Sequence, residues 1–242
     1  MYGWRGRIGL IIASTSAVAE METFKMLPDG VSAHFSRIPY AGTGTDEAAS
    51  KMLSELESSA RLLAGSTATI GVDVLGFMHG NGSASSKPGF DRSISDRMLQ
   101  ATGVPSITMS SAVVDALKKF SIKRISTGVP LSQPEMLQKI KSFFETNGFE
   151  VPHVGSLPLK THLEVSCQPP ETAFKFIKSL NYGDVDAIVV NNANLRTIEV
   201  IDALESDLGK LVITGNQALI WACLRKLGIN ESLPHLGRLF KE

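Results

Sequence analysis

Two apolar segments of the chain follow the same pattern, and this internal repeat constrains the fold more than any other feature of the sequence. Asp73 precedes an apolar run at 74–78 that ends at His79. Asp186 precedes a second such run, and when the two aspartates are aligned, His79 falls on Asn192. Apolar runs of this length, bounded by turn residues, are typical of strands buried on both faces of a sheet. The repeat therefore predicts two half-domains whose central strands end in polar turns facing one cleft.

Short apolar runs alternate with amphipathic runs along the rest of the chain, which predicts strands alternating with helices. At 242 residues the chain could form one large domain or two small ones. We expect an α/β fold of two pseudo-symmetric halves, each a four-stranded parallel sheet with helices on both faces. We assign the first half to 1–120, the second half to 121–228, and the C-terminal segment 229–242 to packing back on the first half. The predicted strands are 8–13, 31–38, 72–78, 105–109, 123–128, 150–154, 186–191 and 211–214.

The pattern between the predicted strands gives four further local expectations. Residues 80–89 are rich in Gly, Ser and Asn, and they fit either a binding loop or a flexible surface loop. In residues 155–168 the apolar residues follow neither the helical nor the strand spacing, so this segment is expected to be irregular and to cross between the halves. Residues 196–208 follow a helical pattern, and Ser110 or Ser111 could cap a helix beginning at about residue 112.

Composition excludes several classes of function. The formal net charge is zero, so neither nucleic acid nor an anionic membrane surface is an expected partner. No run of about 18 apolar residues occurs, and the apolar run at 8–13 is short for a signal peptide, so we interpret it as the first strand. Cys167 and Cys223 form neither a Cys-x-x-Cys pair nor a zinc cluster, so no metal site is expected, and a reducing cytoplasm fits this cysteine usage.

The carboxyl ends of the predicted strands carry the candidate binding residues, since ligands of such sheets lie beyond those ends. Hydroxyls, amides and backbone N–H groups dominate there, and Arg196 is the one strongly basic residue. Such a pocket suits a small carboxylate more than a triphosphate, and no Gly-x-Gly-x-x-Gly follows the first strand. The candidate substrate-binding residues are Ser14, Thr15, Ser16, Gly80, Asn81, Gly82, Ser83, Leu131, Ala193, Asn194 and Asn216.

His79 and Asn192 are the candidate catalytic residues at the two matched strand ends. His79 is the strand-end residue able to exchange a proton near neutral pH, although a histidine that only hydrogen-bonds the following loop explains the same position. Asn192 cannot titrate but could stabilise an oxyanion, and a simple Asx turn is its alternative explanation. We interpret Cys223 as a buried helix residue and not as a nucleophile. Cys167 has no base near it in the sequence.

The chain resembles the aspartate/glutamate racemase superfamily, in its maleate isomerase and arylmalonate decarboxylase branch, from end to end. The motifs that carry the resemblance are Tyr2-Gly-Trp-Arg-Gly-Arg-Ile-Gly-Leu-Ile11, Leu27-Pro-Asp-Gly-Val31, Pro169-Pro-Glu-Thr172, Asn194-Leu-Arg-Thr197 with Glu199-Val-Ile201, Asp207-Leu-Gly-Lys210, Asn216-Gln-Ala218 and Gly237-Arg-Leu239. The resemblance implies flavodoxin-like halves, a small carboxylate in the cleft between them, no cofactor, and a homodimer or larger homo-oligomer.

The same resemblance implies cysteines at both matched strand ends, where this chain has His79 and Asn192. Arylmalonate decarboxylases keep only the second cysteine. The substrate-contacting asparagine of the isomerases corresponds to Ser16, and their tyrosine to Leu131. The two-cysteine mechanism therefore cannot carry over.

Two functions follow as expectations. The first is a cofactor-independent isomerase, decarboxylase or lyase that moves a proton beside a carboxylate, with His79 in place of cysteine. The second is a binding protein that kept the carboxylate cleft and lost the chemistry. A purely structural subunit explains the polar strand ends less well than either.

Overall fold

The computed structural model describes residues 2–39, 46–65, 71–84, 87 and 89–241. The elements of the first part of the chain are β1 (Gly6–Ala13), α1 (Ala19–Met26), β2 (Val31–Ile38), α2 (Asp46–Ala64), β3 (Val74–Met78), α3 (Gly80–Ser83), α4 (Phe90–Thr102), β4 (Ser106–Thr108) and α5 (Met109–Lys119). Those of the second part are β5 (Arg124–Leu131), α6 (Pro134–Thr146), β6 (Glu150–Leu159), α7 (His162–Ser166), α8 (Pro170–Ser179), β7 (Ala187–Val190), α9 (Ile201–Leu208), β8 (Leu211–Thr214) and α10 (Gly215–Lys226). A 3-10 turn at Arg238–Phe240 follows.

The two halves repeat one topology. The strands form two parallel four-stranded sheets with the orders β2-β1-β3-β4 and β6-β5-β7-β8. The repeated aspartates do equivalent work, because Asp73 accepts a hydrogen bond from the N–H of Arg7 and Asp186 accepts one from the N–H of Arg124, each at 2.8 Å. Each aspartate thus ties the start of the central strand to the first strand of its own sheet. The predicted α/β architecture of two pseudo-symmetric halves is confirmed.

Alternate residues of the strands face opposite helical layers. Ile11 and Phe77 pack with Leu56 of α2 and Met98 of α4 on one face of the first sheet. Leu10 belongs to the other cluster, which continues into the second half. Since successive side chains of a strand point to opposite faces, an apolar run without alternation is what a sheet covered on both faces requires.

Helices α5 and α10 pack against each other and contact strands of both sheets, so they lie between the halves. Gly76 allows α10 to approach the first sheet closely: a Cβ there would lie 2.7 Å from a methyl of Leu10 and 3.3 Å from a methyl of Leu219 on α10. The C-terminal segment contacts both halves, since Glu231 pairs with Arg5 at 3.0 Å and Arg238 N–H donates to Glu205 at 2.7 Å. The division into two halves at residue 120 stays a prediction.

Local expectations were wrong in four places, each for a visible reason. Residues 155–159 continue β6 because Leu159 pairs with Leu131, and α7 follows, so the expected irregular stretch is largely ordered. Helix α9 begins at Ile201, after a turn at 197–198 whose N–H groups donate to Glu22.

The other two wrong expectations concern where helices begin. Helix α5 begins at Met109, because Thr108 caps it and Ser111 completes the capping box from its third position. Residues 80–83 form α3 instead of an open loop, while residues 85, 86 and 88 of the expected loop lie outside the described part. Within the described ranges, the helices are all too short or too polar to cross a membrane.

Candidate active site

A small cleft lies at the carboxyl ends of β1, β3 and β7. Its accessible volume is about 20 Å³, room for roughly one water molecule. Both halves contribute to its walls, as the repeat predicts. The residues that line it are Ala13, Thr15, Ser16, His79, Gly80, His162, Asn192, Ala193 and Asn194.

His79 follows the last residue of β3 and is 8% exposed. Its ring stacks on Phe77, the centroids 5.9 Å apart and the planes 15° from parallel, because residues two apart on a strand share a face. Burial, acting in the same direction as repulsion from His162 and Lys139, lowers the pKa of His79 to about 4. The imidazole is therefore neutral at pH 7 and can accept a proton.

Buried hydroxyls hold the turn that carries His79. Ser83 Oγ lies 2.9 Å from the carbonyl oxygen of His79 and 2.7 Å from Ser110 Oγ. Ser110 donates to the carbonyl oxygen of Gly80 at 3.0 Å and accepts from Asn191 Nδ2 at 2.9 Å. These side chains fix the β3 turn against the β7 turn, so Ser83 supports the cleft from behind.

Asn192 has one half of its amide fixed and the other half facing the cleft. Its Oδ1 accepts hydrogen bonds from the N–H groups of Asn194 at 2.8 Å and Leu195 at 3.0 Å, which is the Asx turn considered from sequence. This orients Nδ2 as a hydrogen-bond donor. Asn192 lines the cleft, and no hydrogen bond from Nδ2 occurs within the part of the chain that the structure describes.

Asn194 joins the two halves at the edge of the cleft. Its Oδ1 accepts from the N–H of Ala17 at 3.0 Å, and its Nδ2 donates to the carbonyl oxygen of Thr15 at 3.0 Å. Both ends of the amide are thus engaged by protein, so the side chain positions the loop that carries Thr15 and Ser16.

A buried carboxyl group supports the same turn from below. Glu22 of α1 accepts from the N–H groups of Thr197 at 2.6 Å and Ile198 at 3.1 Å, and from Asn216 Nδ2 at 2.6 Å. Asn216 also donates to the carbonyl oxygen of Ala193. Burial raises the pKa of Glu22 to about 7, while these donors oppose the rise. Sequence reasoning missed Glu22, since an acidic residue near a helix start carries no sign of a partner 175 positions away.

His162 is the second residue that sequence reasoning missed. It is the first residue of α7 and lines the cleft from the second half. A signal was present: Thr161 and Glu164 form the Thr-x-x-Glu pattern that begins a helix, and both capping hydrogen bonds form. That pattern indicates a helix beginning at residue 162.

The structure brings together part of the predicted set. Thr15, Ser16, His79, Gly80, Asn192, Ala193 and Asn194 share the cleft. Ser14 is exposed beside it, whereas Ser83, Leu131 and Asn216 are buried outside its lining. The side chains at 81 and 82 lie outside the described part. Cys167 is exposed and Cys223 is buried in α10, and neither lines the cleft.

The described lining has two imidazoles and no carboxylate, lysine or arginine. Across the described residues no group of three or more His, Cys, Asp or Glu side chains could hold a metal ion. The walls offer hydroxyls, amides and two titratable nitrogens, which suits an anion and proton transfer.

Comparisons with known proteins find a matching family and several relatives. A model of the protein family described as arylmalonate decarboxylase matches residues 8–240. A maleate isomerase from Alcaligenes faecalis is 27% identical over 137 residues, a match that spans 56% of this chain and only 54% of that relative. A maleate isomerase from Pseudomonas putida is 25% identical over 246 residues, covering 96% of both chains.

The fold is shared with solved structures. The crystal structure of a maleate isomerase variant from Pseudomonas putida S16 with maleate superposes with a TM-score of 0.87 at 25% identity, covering 97% of each chain. That protein has the same two-half α/β architecture.

Proposed function

The chain belongs to the arylmalonate decarboxylase family, and from that membership we propose a cofactor-independent isomerase, decarboxylase or lyase that acts on a small carboxylate or dicarboxylate. Proton transfer beside the carboxylate is the chemical step, with His79 in place of the cysteine that the resemblance implies. The observation that carries this proposal is the position of the His79 imidazole inside a cleft lined by hydroxyls and amides.

His79 serves as the proton-transfer group once a carboxylate is bound. The conjugate acid of His79 is too strong to persist at neutral pH, because burial and nearby positive groups lower its pKa. A bound anion favours the charged imidazolium and moves this pKa back toward neutrality. The imidazole can then take a proton from the carbon beside the carboxylate, or the imidazolium can return one to that carbon.

Asn192 stabilises the charge that this step creates. Loss of a proton or of carbon dioxide beside a carboxylate leaves negative charge on the carboxylate oxygens. The Nδ2 donor of Asn192 is aimed at the cleft because Oδ1 is held by two backbone N–H groups. A donor fixed in advance costs no reorganisation when the charge develops, and one such donor is typically worth about 10²–10³ in rate.

The test is proton NMR in D₂O with a panel of small mono- and dicarboxylates, comparing wild type with His79→Gln. His34→Gln is the matched control, because His34 is exposed on β2, away from the cleft, where it contacts Ser32. We expect deuterium incorporation or a new product in wild type and control. In His79→Gln, turnover should fall by about 10²–10⁴ while binding survives. Equal turnover in all three proteins would exclude His79 from the chemistry.

The alternative is a protein that binds small carboxylates without converting them. It is favoured by the positions of Cys167 and Cys223, neither of which lines the cleft. Selective line broadening of one acid without turnover, in wild type and in His79→Gln alike, would support this second function.

A further inference from the structure

We propose that Arg37 is a positioning residue for the bound carboxylate. It holds the β1 exit loop, residues 14–17, in the form that presents hydroxyl groups to the acid and keeps carbonyl oxygens from it. The inference rests on the proposed function, because it requires a small carboxylate as the ligand. Arg37 lies outside the described lining of the cleft, so it acts through the loop and not by touching the acid.

The guanidinium of Arg37 reaches the loop from β2, the edge strand beside β1. Its Nη1 donates to the carbonyl oxygen of Ser16 at 2.9 Å and, at a longer 3.4 Å, to that of Ser14. Its Nη2 donates to Glu20 Oε2 at 2.7 Å, which fixes the orientation of the planar group. One side chain therefore binds two carbonyl oxygens of the loop at once.

The neighbouring carbonyl oxygens are also engaged by protein. That of Ala13 accepts from the N–H of Ser16 at 2.9 Å, and that of Thr15 accepts from Asn194 Nδ2 at 3.0 Å. All four carbonyl oxygens from residue 13 to residue 16 therefore have a hydrogen-bond donor. This matters because a carbonyl oxygen carries partial negative charge and would repel a carboxylate that it faced.

The loop offers hydroxyl donors to the cleft instead. Thr15 and Ser16 both line it, and Ser16 is only 6% exposed. Within the ranges that the structure describes, neither hydroxyl makes a hydrogen bond to protein. A hydroxyl can donate to a carboxylate oxygen, and a buried one is costly to leave without a partner. These two groups are therefore suited to bind the acid.

Arg37 contributes through position more than through charge. Glu20 forms an ion pair with it, so the two opposite charges largely cancel. The two side chains are 43% and 32% exposed, and water screens the charge that remains. The fold should tolerate loss of the guanidinium, since backbone pairing holds β2 to β1 from Val31 to Ile38. Substitution should therefore loosen the loop without unfolding the protein.

The experiment compares wild type with Arg37→Met, which keeps an unbranched aliphatic stem and removes every donor. Amide hydrogen exchange, measured by NMR before any acid is added, reports on the loop directly. The N–H groups of Ser14, Ser16 and Ala17 each donate to an acceptor within the protein. We expect them to exchange at least about tenfold faster in Arg37→Met, as befits loss of hydrogen bonds from a charged group.

Binding is then measured by isothermal titration calorimetry with maleate and with the rest of the mono- and dicarboxylate panel. We expect Kd to rise about tenfold in Arg37→Met, because the acid must then order a loop that the wild type holds in advance. For any acid that is turned over, KM should rise while kcat stays nearly unchanged, the pattern of a residue that acts on binding and not on the chemical step.

Arg5→Met is the matched control. Arg5 also binds one carbonyl oxygen and one carboxylate, those of Asp29 and Glu231, each at 3.0 Å. It precedes β1, whereas the cleft lies at the other end of that strand, so loop exchange and Kd should stay as in wild type.

Glu20→Gln separates position from charge. It leaves the charge of Arg37 uncompensated, so a role based on charge predicts tighter carboxylate binding. Positioning predicts affinity no tighter than that of wild type. Circular dichroism and thermal unfolding check that each variant is folded, and an unfolded Arg37→Met would assign the residue to the fold instead.

The outcomes separate this inference from the proposed function. Unchanged exchange of the loop amides in Arg37→Met would overturn the inference, and so would an unchanged Kd, a lower kcat at unchanged KM, or tighter binding by Glu20→Gln. Weaker binding by Arg37→Met, with no turnover of any acid by wild type, would leave the inference standing and overturn the enzymatic function. Turnover by wild type, with Kd and KM unchanged in Arg37→Met, would do the reverse. Failure of every acid to bind wild type would overturn both.

Discussion

Asn194 Nδ2 donates a hydrogen bond at 3.0 Å to the carbonyl oxygen of Thr15, a residue 179 positions earlier in the chain. The other end of the same amide accepts from the N–H of Ala17. One side chain thus fixes the β1 exit loop of the first half against the β7 exit turn of the second. The cleft walls on these two strands are therefore coupled.

Replacing Asn194 by aspartate tests whether its amide holds the β1 exit loop against the β7 exit turn. The new carboxylate can still accept from Ala17, but its second oxygen faces the carbonyl oxygen of Thr15, where no hydrogen bond can form. Losing the donor and leaving an acceptor unpaired should lower the free energy of unfolding by about 1–3 kcal/mol in urea titrations. The added negative charge should also weaken carboxylate binding.

Asn181→Asp is the control for Asn194→Asp, since Asn181 is exposed beyond α8. Its free energy of unfolding should stay within about 0.5 kcal/mol of wild type. Equal effects of the two substitutions would show that the hydrogen bonds of the Asn194 amide do not stabilise the fold.

Gly80 is required by the close approach of the two central strand ends. A Cβ at this position would overlap the carbonyl oxygen of Asn191 and lie 2.8 Å from its Oδ1. The backbone of Asn191 cannot move without shifting Asn192, and that of Gly80 cannot move without shifting His79. Gly80→Ala should therefore cost about 3 kcal/mol in free energy of unfolding and abolish turnover.

Gly103→Ala separates this steric effect from backbone strain. Gly103 has φ of 73° with nothing within 4 Å of an added Cβ, so alanine there meets only the left-handed strain of about 1 kcal/mol. If thermal unfolding shows Gly80→Ala to be no more costly than Gly103→Ala, the close approach at Asn191 is not limiting.

The part of the site that the sequence predicts correctly is the part where the strand pattern and the sheet topology point to the same strand ends. The repeated Asp73 and Asp186 indicated two matched central strands, and the carboxyl-end rule then placed His79 and Asn192 in one cleft. Both aspartates make the same kind of contact, each accepting a hydrogen bond from a backbone N–H of the first strand of its sheet.

The parts that sequence could not predict depend on contacts between distant segments. His162 lines the cleft because β6 extends to Leu159 and delivers α7 to the site, and the length of an edge strand is set by its pairing with β5. Glu22 is buried by the turn at 197–198, and its position in α1 gives no indication of that partner. Asn194 and Asn216 were predicted to bind substrate, yet both ends of the Asn194 amide and the Nδ2 group of Asn216 are engaged by protein.

His79 should make stability depend on pH in a way that His79→Gln removes. The folded pKa of His79 is about 4 against an ordinary value of 6.5, so the unfolded chain binds the proton more readily. Between pH 6.5 and 4 the wild type should therefore lose free energy of unfolding relative to His79→Gln as the pH falls, by up to roughly 3 kcal/mol. Urea titrations at several pH values measure this difference. A difference that does not change with pH would show that the imidazole is readily protonated in the folded cleft.

Glu22 should make the free energy of unfolding depend on pH in the opposite direction to His79. Burial raises its folded pKa to about 7 from 4.5, so between these values the folded protein holds a proton that the unfolded chain releases. The stabilisation is fully present below pH 4.5 and is lost as the pH rises toward 7. Relative to Glu22→Gln, the wild type should lose up to roughly 3 kcal/mol of unfolding free energy over that window.

The same substitution also reports on the cleft. Because Glu22 binds Asn216, and Asn216 binds the carbonyl oxygen of Ala193, a change in the charge of Glu22 is transmitted to the turn that contains Asn192. Carboxylate affinity in Glu22→Gln should therefore lose the part of its pH dependence that falls near pH 7. If the unfolding difference between wild type and Glu22→Gln stays flat from pH 4.5 to 7, the three donors outweigh burial and Glu22 is ionised throughout.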